Sequence, residues 1–436
     1  MAERRSGKMT IIIGAGPAGM SAAFHLQKRG INAQVLEKES RPGGLVRTEQ
    51  AGHYQFDYAG HLLHFRDREM EKFLKSIIGE KNLGKLKRRS FIFSKKVLTP
   101  YPFQVHTYGL PAEVIRDCLL GFIQAKLNPA KTRPANFKQW IIQNLGTGFA
   151  EHFLFPFNQK FWKIPLEQLD SQWAEWSIPR PAIKDVIEGA LGISRSDFGY
   201  NALFYYPKQG GIEKIAEAMA QKIANISLNR EIISVHPKDM KILLANGREM
   251  GYDSLVSTMP LKELVKRLKS PPEAVEKAGE GLRYVSVLCV NLGIKGPWLS
   301  PAHWIYYPED SYIFYRVGFY SNFVEESSEY QSVVLEISHL PGRSASELEA
   351  MAEQAVEQFK RTGILTSDHT IEYIGTMQIP CAYVVYDALR KKALPVITGF
   401  LQKNRIYSIG RYGGWEYSSI EDAVRQGKEI AEKIAR

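Results

Sequence analysis

Residues 10–27 read TIIIGAGPAGMSAAFHLQ. The apolar run has none of the alternation of a half-exposed strand, so it marks a strand buried on both faces, as in parallel sheets. Gly14, Gly16 and Gly19 follow in a G-x-G-x-x-G spacing, and Ala18, Ala22, Ala23 and Leu26 then recur at helical intervals. INAQVLEK (31–38) supplies a second strand, completing a βαβ unit. The glycines permit a tight turn and close backbone approach, so that a pyrophosphate can sit on the helix N-terminus. Glu37 ends the second strand about 20 residues further on, where a carboxylate accepts a ribose hydroxyl's hydrogen bond. Strand, glycine turn, helix and acid together point to a dinucleotide.

A chain of 436 residues is too long for one core and predicts two or three structural units. Its 44% hydrophobic and 24% charged residues are those of an ordinary soluble globular protein. The longest apolar run, VSVLCVNLGI (285–294), is too short to span a membrane. The polar MAERRSGK start lacks the apolar region of a secretory signal. Cys118, Cys289 and Cys381 have no metal-ligand spacing, so no metal is expected and a reducing, cytoplasmic location is. The net charge of +11 is dispersed. Its only dense run, KLKRRS (85–90), reads as a solvated face beside a strand, so no nucleic-acid partner is expected. A positive field also favours an anionic small substrate.

Between 67 and 182 the periodicity is helical. Met70, Phe73, Leu74, Ile77 and Ile78 follow a capping Asp67, and two further stripes run through Val114–Ile123 and Phe137–Leu145. Between 282 and 340 short β-rich runs read as an antiparallel sheet. The expected class is therefore α/β: a discontinuous Rossmann-like domain (1–66, 183–265 and 395–436), a helical insertion (67–182) and an antiparallel sheet insertion (266–394).

Several stretches carry candidate site residues. PYPFQ (100–104) sets Tyr101 and Phe103 beside Gln104: aromatic faces that can stack on a base and an amide that can read its edge. FPFNQKFWKIP (155–165) places Asn158 and Trp162 at helical spacing. Each, taken alone, reads rather as core packing. HWIYYPEDSYIFYR (303–316) is a hairpin whose alternation puts Trp304 and Tyr306 on one face, opposite Ile305 and Tyr307, with Arg316 on the partner strand.

RPGGLVRT (41–48), PKQGG (207–211), STMP (257–260) and the closing IGRYGGW…EDAVRQG resemble FAD flavoproteins of the amine-oxidase and protoporphyrinogen-oxidase type. That resemblance implies FAD, with Gly43 and Gly44 as a second backbone contact and Gly410 and the helix start at Asp422 set against the flavin. PYPFQ, FPFNQKFWKIP, FGYNALFYYP, HWIYYPEDSYIFYR and GRYGGWEY occur in the order found in UDP-galactopyranose mutases, particularly the eukaryotic-type branch, and this similarity spans nearly the whole chain.

It implies that Tyr101, Phe103 and Gln104 receive uracil. Arg316, Arg411, Tyr383 and Tyr417 would hold the diphosphate. Trp304, Tyr306, Asn158, Trp162 and Asn201 would surround the sugar and near phosphate. Gly60 and His61 (AGHLL) would meet the flavin, His61 responding to its redox state. In that family reduced flavin attacks the sugar's anomeric carbon through N5 and displaces UDP; the ring opens and recloses, with no net redox. The implied partner is a UDP-sugar, with galactose the leading sugar. Arg88 and Arg89 could approach the phosphate of an NAD(P)H reductant or form a solvated basic face. One departure stands out: past Trp173, where the family carries an arginine, this chain has Ser177, with Arg180 three residues on. Amine-oxidase-like net oxidation and non-catalytic nucleotide-sugar binding are the alternative readings.

Overall fold

The structure, a computed structural model, describes residues 9–193, 203–324 and 329–436. Met9–Ile13 is the middle strand of a five-stranded parallel sheet, flanked by Asn32–Leu36 and Ser254–Ser257, with Ile226–Ser227 and Ile406–Ser408 at the edges. Ile11 and Ile12 are fully buried, as an apolar run without alternation requires. The helix after the glycine turn, Pro17–Gln27, packs against the closing helix Ile420–Ala435, and Ser21 Oγ donates to the Val424 carbonyl at 2.6 Å. The two ends of the chain thus build one unit, which is why its strands are scattered through the sequence.

A second sheet of seven strands runs Thr370–Val384, Tyr284–Lys295, Tyr330–His339, Arg316–Phe319, Trp304–Tyr306, Ser90–Ser94, Val97–Pro100. The sequence predicted an antiparallel sheet; this one is mixed, because Trp304–Tyr306 pairs parallel with Ser90–Ser94. Without that partner, the short Trp304–Tyr306 strand would leave its backbone donors and acceptors on an open edge. The segment 67–182 is accordingly not all helix. Leu83–Lys87 pairs antiparallel with Leu203–Pro207, and the 90–100 hairpin joins the large sheet.

The predicted helical stripes are buried where they should be. Met70, Leu74 and Ile78 face inward from Arg68–Ile78, whose N-terminus Asp67 caps by accepting from Glu69 N–H at 2.7 Å. Val114, Cys118 and Phe122 meet Phe137, Trp140, Ile141 and Leu145 across the pair Ala112–Leu127 and Phe137–Phe149. Helix Ile183–Ala190 adds Val186 to this same core, and its Gly189 carbonyl accepts from Tyr108 N–H at 3.2 Å. By packing, the helical unit therefore reaches past residue 182. Among the described residues no helix is long and apolar enough to cross a membrane, and no group of three His, Cys, Asp or Glu side chains could hold a metal ion. The three cysteines are free thiols.

Candidate active site

The glycine turn is held at Gly14 and Gly19 by packing that tolerates no larger residue. Gly14 has φ +96° and donates to the Leu36 carbonyl at 2.8 Å. A Cβ on Gly19 would lie 2.0 Å from the Gly14 carbonyl oxygen, so only glycine lets the helix start this close to the strand. Gly16 faces Gly44, and Gly43 N–H donates to the Ala15 carbonyl at 2.9 Å, which leaves a trough walled by backbone. Glu37 is buried at the end of the second strand, one oxygen accepting from Ala15 N–H at 2.7 Å and the other from Glu39 N–H at 3.0 Å. These residues fit a dinucleotide's phosphates and ribose: the walls carry no side chain, and the buried carboxylate keeps lone pairs for a hydroxyl.

A cavity of about 670 Å³ opens between the seven-stranded sheet, the helical unit, the 59–66 loop and the 411–425 segment that leads into the closing helix. Gly60 and His61 form one wall; Tyr101 and Gln104 line the far end. Asn158 and Trp162 enter from helix Phe155–Trp162, and Trp304 and Tyr306 from the sheet. Arg316, Tyr383, Arg411 and Tyr417 complete the lining. Phe103 is the exception. It is fully buried in the helical core, stacked on Phe153 at 4.8 Å between centroids, and the cavity wall is formed instead by Phe157 and Phe161. Asn201 lies outside the described residues, as does the side chain of Ser177.

Register explains how the hairpin contributes. Tyr306 pairs with Arg316, and Arg316 with Glu336 on the next strand, so three cavity-side groups stand in a row across the sheet. Ile305, Val317 and Leu335 occupy the opposite face, in a separate apolar cluster. Glu336 was not picked out from the sequence. Its carboxylate is fully buried and accepts from Arg316 Nε at 3.0 Å and Nη2 at 2.7 Å, and also from the Tyr315 hydroxyl. The signal available was a lone acid inside the apolar strand SVVLEIS, which must find a cation when buried.

Arg411 is held differently. Its guanidinium donates to the Ser418 carbonyl at 3.1 Å and the Ala382 carbonyl at 3.2 Å. It lies 4.5 Å from the Tyr417 ring centroid and 5.2 Å from that of Tyr383, and these two rings stack 11° from parallel. Burial pushes the Tyr383 hydroxyl up to about 12. Burial, with Arg411 and Arg316 beside it, depresses His61 to about 4, so this imidazole is neutral at ordinary pH. Its Nδ1 is buried without a partner, as are the indole N–H groups of Trp162 and Trp304, the Tyr412 hydroxyl and the Ser418 hydroxyl.

In the closing GRYGGW segment Gly410 has φ +78° and donates to Gln426 Oε1 at 2.6 Å. Asp422 lines the cavity, but its carboxylate is held by protein donors: Ser419 N–H at 2.9 Å, Ser419 Oγ at 2.8 Å and Arg66 at 2.7 Å. It shapes the start of the closing helix. Arg88 lines the cavity with its guanidinium over the Tyr101 ring, whereas Arg89 turns away to donate to the Pro301 carbonyl at 2.6 Å. In sum, the cavity presents cations, aromatic faces and N–H donors, and suits a ligand rich in anionic and acceptor oxygens.

Comparison with known proteins bears on the fold and the family. A crystal structure of reduced UDP-galactopyranose mutase superposes with a TM-score of 0.91 at 25% identity, covering 98% of this chain and 95% of that one. A redesigned putrescine oxidase variant superposes over 99% of both chains with a TM-score of 0.66 and 17% identity, a likeness of fold. The 1-hydroxycarotenoid 3,4-desaturase of Flavobacterium sp. (strain P99-3) is 23% identical over 316 residues; the match covers 66% of this chain and 64% of the relative's length. The model of flavin containing amine oxidoreductases matches residues 17–435, and the chain belongs to that family of FAD flavoproteins.

Proposed function

We propose that this flavoprotein is a UDP-sugar mutase interconverting pyranose and furanose rings, with UDP-galactopyranose and UDP-galactofuranose as the leading pair. The observation that carries the reading is the pair of arginines in one aromatic cavity beside the Gly60–His61 loop. An amine substrate is cationic and would meet Arg411 unfavourably, which sets this cavity apart from an amine-oxidase cage. A nucleoside diphosphate is the opposite case. Arg411 has N–H groups to share with phosphate oxygens, and the stacked Tyr383 and Tyr417 add hydroxyl donors.

Gly14, Gly16, Gly19, Glu37, Gly43 and Gly44 would hold FAD, and the unpartnered Nδ1 of His61 offers a contact to its ring system. When bound and reduced, the flavin supplies a nucleophilic nitrogen for the anomeric carbon. The chain's own contribution is positioning and charge stabilisation. Tyr101, with its ring 5.6 Å from that of Tyr306, would take the uracil face, and Gln104 its edge. Trp162, Trp304 and Asn158 would orient the sugar. Arg411 and the two tyrosines would stabilise the charge that gathers on the departing UDP and keep it in place for recombination. His61, held neutral by burial and the nearby guanidiniums, would meet the ring system as a hydrogen-bonding group rather than as a cation.

The test is to incubate dithionite-reduced protein with UDP-galactofuranose without oxygen and follow conversion to the pyranose form. Conversion by the reduced protein only, with trapping of a flavin–sugar adduct by borohydride, is the expected result. Oxygen consumption with an amine and no conversion of the UDP-sugar would refute the proposal. Arg88, over the Tyr101 ring, is the residue to examine for an NAD(P)H reductant.

A further inference from the structure

We infer that Glu336 sets the charge of the Arg316–Arg411 end of the anion site: it cancels Arg316, so that of these two arginines it is Arg411 that keeps an uncompensated positive charge, among the described residues, to draw an anionic ligand. This rests on the reading of the cavity as a nucleoside-diphosphate site. The two arginines, alike in sequence, are electrostatically unlike. Arg316 forms a forked ion pair with a fully buried carboxylate, and the Tyr315 hydroxyl adds a third donor to that carboxylate. Arg411 rests on two carbonyl oxygens and two tyrosine faces, and among the described residues no carboxylate lies within ion-pair distance of it.

The other acids at the cavity are engaged elsewhere: Glu416 receives the Gln426 amide, and Asp422 receives Ser419, Arg66 and Arg425. A buried ion pair is seldom the cheapest way to fill a core, since apolar residues of the same volume do as well or better. Its retention here matches a requirement of the reaction: the leaving diphosphate must stay during ring reclosure and then depart with the product. Two naked guanidiniums would hold it too firmly. One neutralised arginine supplies directed N–H groups without a second full charge.

The test uses flavin-loaded protein and UDP as the probe, with binding measured by titration calorimetry. Glu336→Gln removes the negative charge at nearly constant shape, and UDP should bind about tenfold tighter at low salt. That gain should shrink as ionic strength rises to about 0.3 M. Glu336→Asp keeps the charge and should leave the affinity within about threefold of wild type. If Glu336 merely orients Arg316, both variants bind UDP more weakly, and the inference is overturned. Should Glu336→Gln fail to fold, Arg411→Met and the double variant Arg316→Met/Glu336→Gln make the same distinction. The double variant removes a neutral pair, so Arg411→Met should weaken UDP binding at least about tenfold more than the double variant does. Equal losses overturn the inference. Wild-type protein that binds no UDP would overturn the anion-site reading, and this inference with it.

Discussion

Acid should loosen the wall of the cavity through His303, the residue just before Trp304. This imidazole is fully buried among Phe204, Phe323 and Trp304. Its Nδ1 accepts from Arg89 N–H at 2.9 Å, which fixes the neutral tautomer whose Nε2–H donates to the Asn322 carbonyl at 3.1 Å. Protonation would set two N–H groups against each other, and burial depresses the pKa to about 3. The folded value lies below the unfolded value of about 6.5, so the neutral ring's contribution is complete above pH 6.5 and is lost as pH falls toward 3. At about 1.4 kcal/mol per pH unit, the loss between pH 6.5 and 5 is roughly 2 kcal/mol. Asp57 works the other way: burial raises it to about 6, so its cost is relieved as pH falls through that value. The informative quantity is therefore a difference between variants. His303→Gln can accept and donate in the same places but does not titrate. It should be about 1 kcal/mol less stable than wild type at pH 7.5, for lost ring packing, and that deficit should vanish or reverse by pH 5. Urea unfolding of flavin-loaded protein at several pH values measures it. A difference that stays constant within about 0.5 kcal/mol from pH 7.5 to 5 would refute the assignment.

Two further outcomes separate structural from ligand-facing roles. In Gly19→Ala, the new methyl meets the Gly14 carbonyl at 2.0 Å and must push helix from strand. The purified protein should lose its flavin absorbance and about 2–4 kcal/mol of stability, and full flavin content would contradict the trough. Tyr101→Ala should weaken UDP binding by about 1–3 kcal/mol at little cost in stability. Phe103→Ala, in the core, should cost about 3–5 kcal/mol of stability and leave the affinity of the folded fraction unchanged. Calorimetry and thermal unfolding of the pair decide this, and an affinity loss confined to Phe103→Ala would reverse the two assignments.

What could be read from the sequence was local. TIIIGAG declares a buried strand and a glycine turn within a dozen residues, and the hairpin's alternation fixes which of its side chains share a face. What could not be read depends on partners far along the chain. Tyr101 and Phe103 stand two residues apart in a segment with no periodicity, and only the stacked ring of Phe153 and the edge-on ring of Phe149 draw the second inward. The parallel pairing of Ser90–Ser94 with Trp304–Tyr306 joins strands about two hundred residues apart, and neither strand encodes the other's address.

Glu336 is the instructive case, because its signal was present and indirect. An acid inside SVVLEIS cannot be buried alone, so the strand announces a cation without saying which. Once the register sets Arg316 opposite Glu336, the two arginines of the site cease to be equivalent. Resemblance between sequences transfers residue types and leaves their electrostatic state unstated. That state depends on what each guanidinium touches: a buried carboxylate for Arg316, and carbonyls and tyrosine faces for Arg411. A site read as two positive charges therefore behaves as one charge and one oriented donor. On the proposed function, this asymmetry is what would let a single cavity hold a diphosphate through a rearrangement and still release it.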